Sequence, residues 1–440
     1  MPKISYLVVT GVALILAGCK TADPDIQTAD PAIVIDSKVD EYFTALTELE
    51  KFNGVVFVAS DDGLLHRQAY SIRGTGVPSL PVNIESQFDL RSVSKLIAQM
   101  AIIDLVDAGQ LDPADTLDRF VPDFPYADQI TIQHLIDHQS GLPREFTEFD
   151  GEAIDLSPEQ IVNLAKQERL EFPPGTDTRY SNIGYQLLYY MIADLSGKPF
   201  AQHVQESLFQ PLGMTGSGGH FFGQNQNLSA YAYGHERDDG QVKPLLDFQA
   251  EQLKLGTLYS TIDDLGRLLG ALERDPYRSE LENESGIISH AGGSDGKRAY
   301  IETNTQYGYR FAFLTNYDAI PFSQIVSDVR AIVEGRDYTV PAPINRQSIS
   351  VPISVLEQYI GTYGFAELEH LQLEFRVVDG ALIVVQNGEP AGSLSAETSN
   401  IFFEDATSAD SFEFKLQADG SYSVFMDWRG ATWEGVAIGG

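Results

Sequence analysis

Three short patterns in the chain could together carry out acyl transfer. In Ser92-Val93-Ser94-Lys95 a hydroxyl and an amine stand three residues apart. On a helix, positions i and i+3 share a face, so the amine can reach the hydroxyl proton. Lysine is a useful base only if its pKa falls, and burial has that effect. A serine at a helix N-terminus also turns its backbone N–H toward developing negative charge. The second pattern, Tyr180-Ser181-Asn182, is the only Tyr-x-Asn in the chain. A tyrosine beside a cationic lysine can be held partly as phenolate and move a proton. An asparagine amide can orient both the lysine and a substrate carbonyl. The third, His290-Ala291-Gly292-Gly293, holds the only His-x-Gly. Its glycines let a ligand lie close against backbone.

Taken singly, each pattern has a plainer reading. Composition predicts on the order of one chance Ser-x-x-Lys match in a chain of this size. A second match does occur, Ser294-Asp295-Gly296-Lys297, in a glycine turn and not at the head of an apolar helix. It is read as the chance one. Ser92 alone could be a helix cap, Tyr180 a structural tyrosine, and His290 an ordinary strand histidine. His134 and His138 stand at the i, i+4 spacing of zinc ligands, but Leu135 occupies the position where the zincin pattern needs glutamate. No G-x-x-x-x-G-K-[ST] loop or dinucleotide fingerprint is present.

The elements that must hold these residues are visible as periodicities. Val39, Tyr42, Phe43, Leu46 and Leu49 predict a helix over about 37–51. Gly54–Ser60 and Leu64–Ile72, joined by Asp61-Asp62-Gly63, read as a β-hairpin. Ser92 opens a long apolar segment to Val106, with almost no polar face, which implies a buried helix. Shorter helices are expected over Thr131–His138 and Ile183–Leu195, and a further one near 323–334. Residues 215–250, rich in Gly, Gln, Asn and Asp, read as a long surface excursion, and Tyr300–Asn316 as strand. His290 falls on a strand edge. Prolines 341, 343 and 352 mark a linker over 337–352. Beyond it, β-type runs at 371–377, 381–385, 401–404, 412–416 and 422–428 alternate with turns, as in a small antiparallel barrel or sandwich.

The 440 residues suit two domains, and an apolar share of 43% is that of a globular protein. With 29 basic and 63 acidic residues the net charge is −34, which argues against nucleic-acid partners. The single cysteine excludes an intrachain disulfide. That cysteine follows Lys3, an apolar run over 6–17, and Leu16-Ala17-Gly18. The run has the length of a signal-peptide core. The whole resembles a bacterial lipoprotein signal over 1–18, with lipid on Cys19. Residues 19–36 then form a tether. Lys20 stands where aspartate would favour the inner membrane in such signals. The expected location is therefore the periplasmic face of the outer membrane, with membrane contact only through the lipid.

The order Ser-x-x-Lys, Tyr-x-Asn, His-x-Gly resembles the serine β-lactamase and penicillin-binding protein superfamily. The likeness is greatest to its class C β-lactamase-related branch. Residues 130–143 (ITIQHLIDHQSGLP), 172–188 (FPPGTDTRYSNIGYQLL), Pro211-Leu212-Gly213-Met214 and 258–265 (LYSTIDDL) share it, so the likeness covers about residues 50–320. The tail from LEQYIGTY, 356–363, resembles a small lipocalin-like domain. The resemblance implies an α+β fold, an α/β sandwich. In it an antiparallel sheet is flanked by helices, with an all-helical subdomain, and a C-terminal β-barrel follows. The domains would be 37–336 and 353–440.

The same resemblance assigns roles. Ser92 would be the nucleophile, Lys95 its base, and Tyr180 the relay to the leaving group and to the deacylating water. Asn182, His290 and Gly292 would contact substrate. The backbone N–H groups of Ser92 and Gly293 would form the oxyanion hole. No metal or organic cofactor is implied. His290 departs from the lysine that many members carry there, which weakens the case for recognition of a substrate carboxylate. The expected reaction is hydrolysis of an ester or amide, as in an esterase or a D-amino-acid peptidase or carboxypeptidase. The alternative is a lipid-anchored penicillin-binding-type sensor with little turnover.

Overall fold

The computed structural model describes residues 30–147, 156–219, 230–238, 240–245, 258–368, 371–386, 388–428 and 430–438. Cys19, the signal segment and most of the tether lie outside the described residues. The chain opens with α1, Pro31–Glu48, earlier at both ends than the helix expected over 37–51. The reason is local: Asp30 accepts a hydrogen bond from Ala32 N–H at 3.0 Å, and Pro31 takes the first helical position.

A five-stranded antiparallel sheet follows, in the order β2-β1-β10-β9-β8. Its strands are β1 (Gly54–Ser60), β2 (Gly63–Tyr70), β8 (Ile287–Ser294), β9 (Lys297–Asn304) and β10 (Tyr309–Thr315). Val55 pairs with Leu314 and Val56 with Phe313, so neighbouring residues serve opposite faces. Val56 and Phe313 pack with Tyr42, Phe43 and Leu46 of α1 and with Ile325, Val329 and Ile332 of the C-terminal helix Phe322–Val333. Val55 and Leu314 pack on the other face against α2 (Val93–Asp107) and the helix Ile262–Leu272. The sheet is therefore sandwiched between helical layers. α2 is buried along most of its length, from Val93 to Ala98 and again at Met100, Ala101, Ile102 and Leu105. Its uniformly apolar sequence signals just such a helix.

The helical subdomain holds α3 (Ile132–Ile136), α4 (Pro158–Ala165), α5 (Asn182–Ser196) and α6 (Phe200–Val204). α3 is shorter than the Thr131–His138 helix expected; the chain leaves it at His138, in the left-handed conformation with φ 59°. A small sheet ties this part to the nucleophile. Its strands are β3 (Phe88–Asp89), β4 (Gly218–Gly219) and β7 (Leu258–Ser260), with β7 in the centre.

Residues 215–250 are not wholly a surface excursion. Within them lie β4 and the hairpin β5 (His235–Asp238) and β6 (Gln241–Pro244), and Tyr231, Ala232 and His235 are buried. Polar composition hid this because buried Lys297 donates to Tyr231 at 2.7 Å, a contact across 66 residues.

The C-terminal unit is a closed barrel of eight strands, β11 to β18, between Gly361 and Ala437. Five runs were legible in the sequence. Gly361–Phe365, Glu389–Ala396 and Ala431–Ala437 were not, because Gly, Pro and Ser dilute their β signal; ring closure supplies their partners. The preceding segment lies along the barrel. Arg346 donates to the carbonyls of Ser408 and Ala409 and to Glu397. The turn at Gly430 abuts Gln324 so closely that a Cβ there would sit 2.5 Å from the Gln324 Cβ. The barrel thus meets the catalytic unit at the helix Phe322–Val333.

Candidate active site

β3 delivers the chain to α2 through a tight turn. Leu90 N–H bonds to Leu258 O at 2.8 Å, and Arg91 is left-handed at φ 47°. A non-glycine residue there carries strain, which the surroundings must hold. Those surroundings are a buried charge cluster. Asp89 accepts the Arg91 N–H at 3.0 Å, pairs with the Arg91 guanidinium at 3.2 Å, and lies 3.7 Å from the Lys297 ammonium. Ser92 then precedes the first residue of α2, and its side chain makes no cap hydrogen bond. The cap reading of Ser92 is therefore excluded, and the hydroxyl is turned to other partners.

Those partners are the expected ones. Lys95 Nζ lies 3.2 Å from Ser92 Oγ and donates to Asn182 Oδ1 at 2.8 Å. The Tyr180 hydroxyl reaches Ser92 Oγ at 2.8 Å. Lys95 is 5% exposed, and its ammonium stands 4.9 Å from the Tyr180 ring centre and 5.5 Å from that of Tyr185. Either neighbour, once deprotonated, is within reach of the serine proton. Residues 88 positions apart meet because Ser181 caps α5 through Gly184 N–H, while its own hydroxyl bonds Pro143 O.

His290 and the glycines form the opposite wall, on the edge strand β8. Gly292 lies directly against the nucleophile turn. A Cβ there would sit 2.3 Å from Leu90 O, 3.0 Å from Ser92 N and 3.2 Å from Val93 N, so only glycine fits. His290 Nδ1 is 2.8 Å from Ala291 O; a carbonyl only accepts, so Nδ1 carries the proton and Nε2 is left as an acceptor. Burial, with the nearby Lys95, pushes the His290 pKa down to about 4. The imidazole is neutral at pH 7 and supplies no permanent cation.

The sequence missed several members of the site. Asn182 Nδ2 donates to Glu145 Oε1 at 2.5 Å. Lysine can only donate and carboxylate only accept, so the two together fix the orientation of the Asn182 amide. Arg144 places its guanidinium 5.1 Å from the Tyr180 ring centre. His138 stacks on Tyr180 with centroids 4.4 Å apart and accepts the Ser181 N–H at 3.1 Å. Burial, helped by Lys95, lowers its pKa to about 4. Of the zinc-spaced pair, His134 instead completes a capping box with Thr131 at the start of α3. The spacing alone could not distinguish these uses. Nor could it reveal Glu145, which lies in a loop with no pattern around it.

The second Ser-x-x-Lys dissolves in three dimensions. Ser294 ends β8, Lys297 begins β9, and the lysine is buried against Tyr231 and Asp89.

Known proteins are similar to this chain in sequence and in fold. Penicillin-binding protein 4* of Bacillus subtilis (strain 168) is 28% identical over 373 residues, covering 73% of this chain and 81% of its own. The octameric penicillin-binding protein homologue of Pyrococcus abyssi superposes with a TM-score of 0.59 at 19% identity, over 91% of this chain and 98% of that one. The D-amino acid amidase of Ochrobactrum anthropi SV3 gives a TM-score of 0.58 at 19% identity, over 70% and 99%. The family model described as Beta-lactamase matches residues 39–310, the span that carries all three motifs, and the chain accordingly belongs to the beta-lactamase family of serine hydrolases.

Proposed function

We propose that the protein hydrolyses an ester or amide through an acyl-enzyme on Ser92, with a substrate drawn from simple esters or D-amino-acid amides and peptides. The reading rests on one arrangement: Ser92 Oγ within 3.2 Å of Lys95 Nζ and 2.8 Å of the Tyr180 hydroxyl. In the proposed reaction Oγ attacks the carbonyl carbon while its proton passes to Lys95 or Tyr180. The oxyanion is held by the N–H groups of Ser92 and Gly293. Tyr180 returns a proton to the leaving oxygen or nitrogen as the C–O or C–N bond breaks. Water then attacks the ester on Ser92, losing its proton to Tyr180, and the serine is regenerated. Asn182 orients the acyl part. The neutral His290 supports substrates without a carboxylate at that position. We further propose that the chain is exported and lipid-anchored at Cys19, on the strength of Leu16-Ala17-Gly18-Cys19.

The test is intact-protein mass after exposure to a fluorophosphonate. One adduct is expected, lost in Ser92→Ala and kept in Ser294→Ala. Tyr180→Phe should retain the fold and lower ester turnover by about 10²–10⁴-fold. Labelling that survives Ser92→Ala would end the proposal. An adduct that forms on penicillin and persists, with no turnover of p-nitrophenyl esters or D-Ala peptides, would instead identify the slow-turnover sensor.

A further inference from the structure

A polar cleft of about 350 Å³ lies between the turn that follows α6 and the edge strand β4, and none of the residues of the acyl-transfer site lines it. Small-molecule sites begin near this size, at roughly 300 Å³. One wall is a π-helical turn, Gln205–Phe209, closed by the Gln210 N–H, which donates to Gln205 O at 2.9 Å. In a regular α-helix, residues five apart point about 140° away from each other. The wider π turn brings them toward one face, so Gln205 and Gln210 both line the cleft. Among the described residues their side-chain amides have no hydrogen-bond partner. Glu206 lines it too, but its carboxylate already accepts from the Lys198 ammonium and from the Gln202 amide. The floor is fixed and bare. Gly216 N–H and the Ser217 hydroxyl both donate to buried Asp264, at 2.8 and 2.7 Å. A Cβ on Gly218 would sit 2.4 Å from the Tyr259 hydroxyl oxygen, so glycine lets that phenol lie across the strand at the edge of the cleft. The open groups are therefore amides that each donate and accept, beside an aromatic ring, with the one carboxylate already matched by a lysine. They suit a ligand whose groups also donate and accept at close spacing, as sugar hydroxyls do, and offer little to an ion. The β4 edge, Gly218–Gly219, is only 2 residues long, too short to hold a peptide by strand addition. From the paired glutamines of the π turn and the glycine floor we infer that this cleft is a binding site for a neutral sugar ring, separate from the site of acyl transfer and independent of the chemistry at Ser92.

Saturation-transfer NMR on the full chain tests this. The probes are glucose and N-acetylglucosamine as neutral sugars, glucosamine in its cationic form, glucuronate as the anion, and N-acetylalaninamide as a peptide mimic. The neutral sugars should give saturable transfer with a Kd of about 1–10 mM, the range open to a ligand of this size. The double substitution Gln205→Ala/Gln210→Ala should weaken it at least about five-fold, by loss of two or more hydrogen bonds. Alanine favours the helix, and thermal unfolding checks that the variant is folded. Gln167→Ala, at an exposed glutamine beyond α4, should bind as wild type does. Gln210→Glu puts an unmatched carboxylate in the cleft and should turn the preference toward glucosamine, a change that altered folding would not produce. Absence of saturable transfer from both neutral sugars at about ten times the expected Kd overturns the assignment. So do binding that survives the double substitution in full, tighter binding of either charged sugar by the wild-type protein, and displacement of the sugars by N-acetylalaninamide at lower concentration, which would make the cleft a peptide site.

Discussion

Gly292→Ala is the sharpest test of how the site is assembled. The added Cβ would lie 2.3 Å from Leu90 O and 3.0 Å from Ser92 N, both backbone atoms. Ordinary contact needs about 1 Å more, and neither atom can swing aside as a side chain would. Either β8 withdraws or the Leu90–Ser92 turn does, and that turn is already strained at Arg91. A displacement of about 1 Å between the nucleophile and its oxyanion donors costs about 10²-fold in rate, and losing one donor costs about 10²–10³-fold. Overpacking should cost only about 1–3 kcal/mol of stability, so the variant remains folded. Gly293→Ala is the internal control. The three atoms nearest its Cβ would all belong to the Arg298 side chain, the first being Cδ at 3.0 Å, which can move, and its N–H is retained. The assay is the second-order rate of fluorophosphonate labelling, with thermal unfolding measured on each variant. Gly292→Ala should label about 10²-fold more slowly or worse, and Gly293→Ala within about five-fold of wild type. Near-wild-type labelling by Gly292→Ala, or equal damage from both variants, would refute the placement of β8 against the nucleophile turn.

The remaining expectations concern the groups behind the site. Lys297→Met should cost about 3 kcal/mol in denaturant unfolding, because it leaves Asp89 buried with one cation fewer, whereas Ser294→Ala should fall within about 0.5 kcal/mol of wild type. Equal stability of the two variants would show that the Asp89 cluster does not hold the turn. Acidification should act through His138. Its pKa is about 4 in the folded protein against an ordinary 6.5, so between those values the unfolded chain binds more protons. Stability is therefore unaffected above about pH 6.5 and falls below it, by about 2–3 kcal/mol at pH 4.5 from this residue. Asn tolerates the left-handed backbone at this position, so His138→Asn should fold and lose that much less between pH 7 and pH 4.5. Parallel losses in the two proteins would remove His138 as the origin.

What the sequence determined by itself lies where the signal is local. The apolar run after Ser92 and the β-rich run of β1 each specify their element within a few residues, because helix period and strand propensity are local, whereas the start of α1 at Pro31, capped by Asp30, falls in the stretch that reads as tether. The three motifs were legible because their residue types are scarce at those spacings. Tertiary structure decided the rest. It turned the Ser92 hydroxyl away from capping and toward Tyr180, 88 positions on. It forced Arg91 to φ 47° and held it with Asp89, whose second cation, Lys297, comes from the far end of the sheet. It converted two zinc-spaced histidines into a helix cap and a ring stacked on Tyr180. It brought Glu145, which no pattern marks, to the amide of Asn182. It gave three Gly- and Ser-diluted segments their places in the barrel by supplying partners on both sides. In each case the deciding interaction joins residues far apart in the chain, and contacts of that kind leave no period in the sequence to be read.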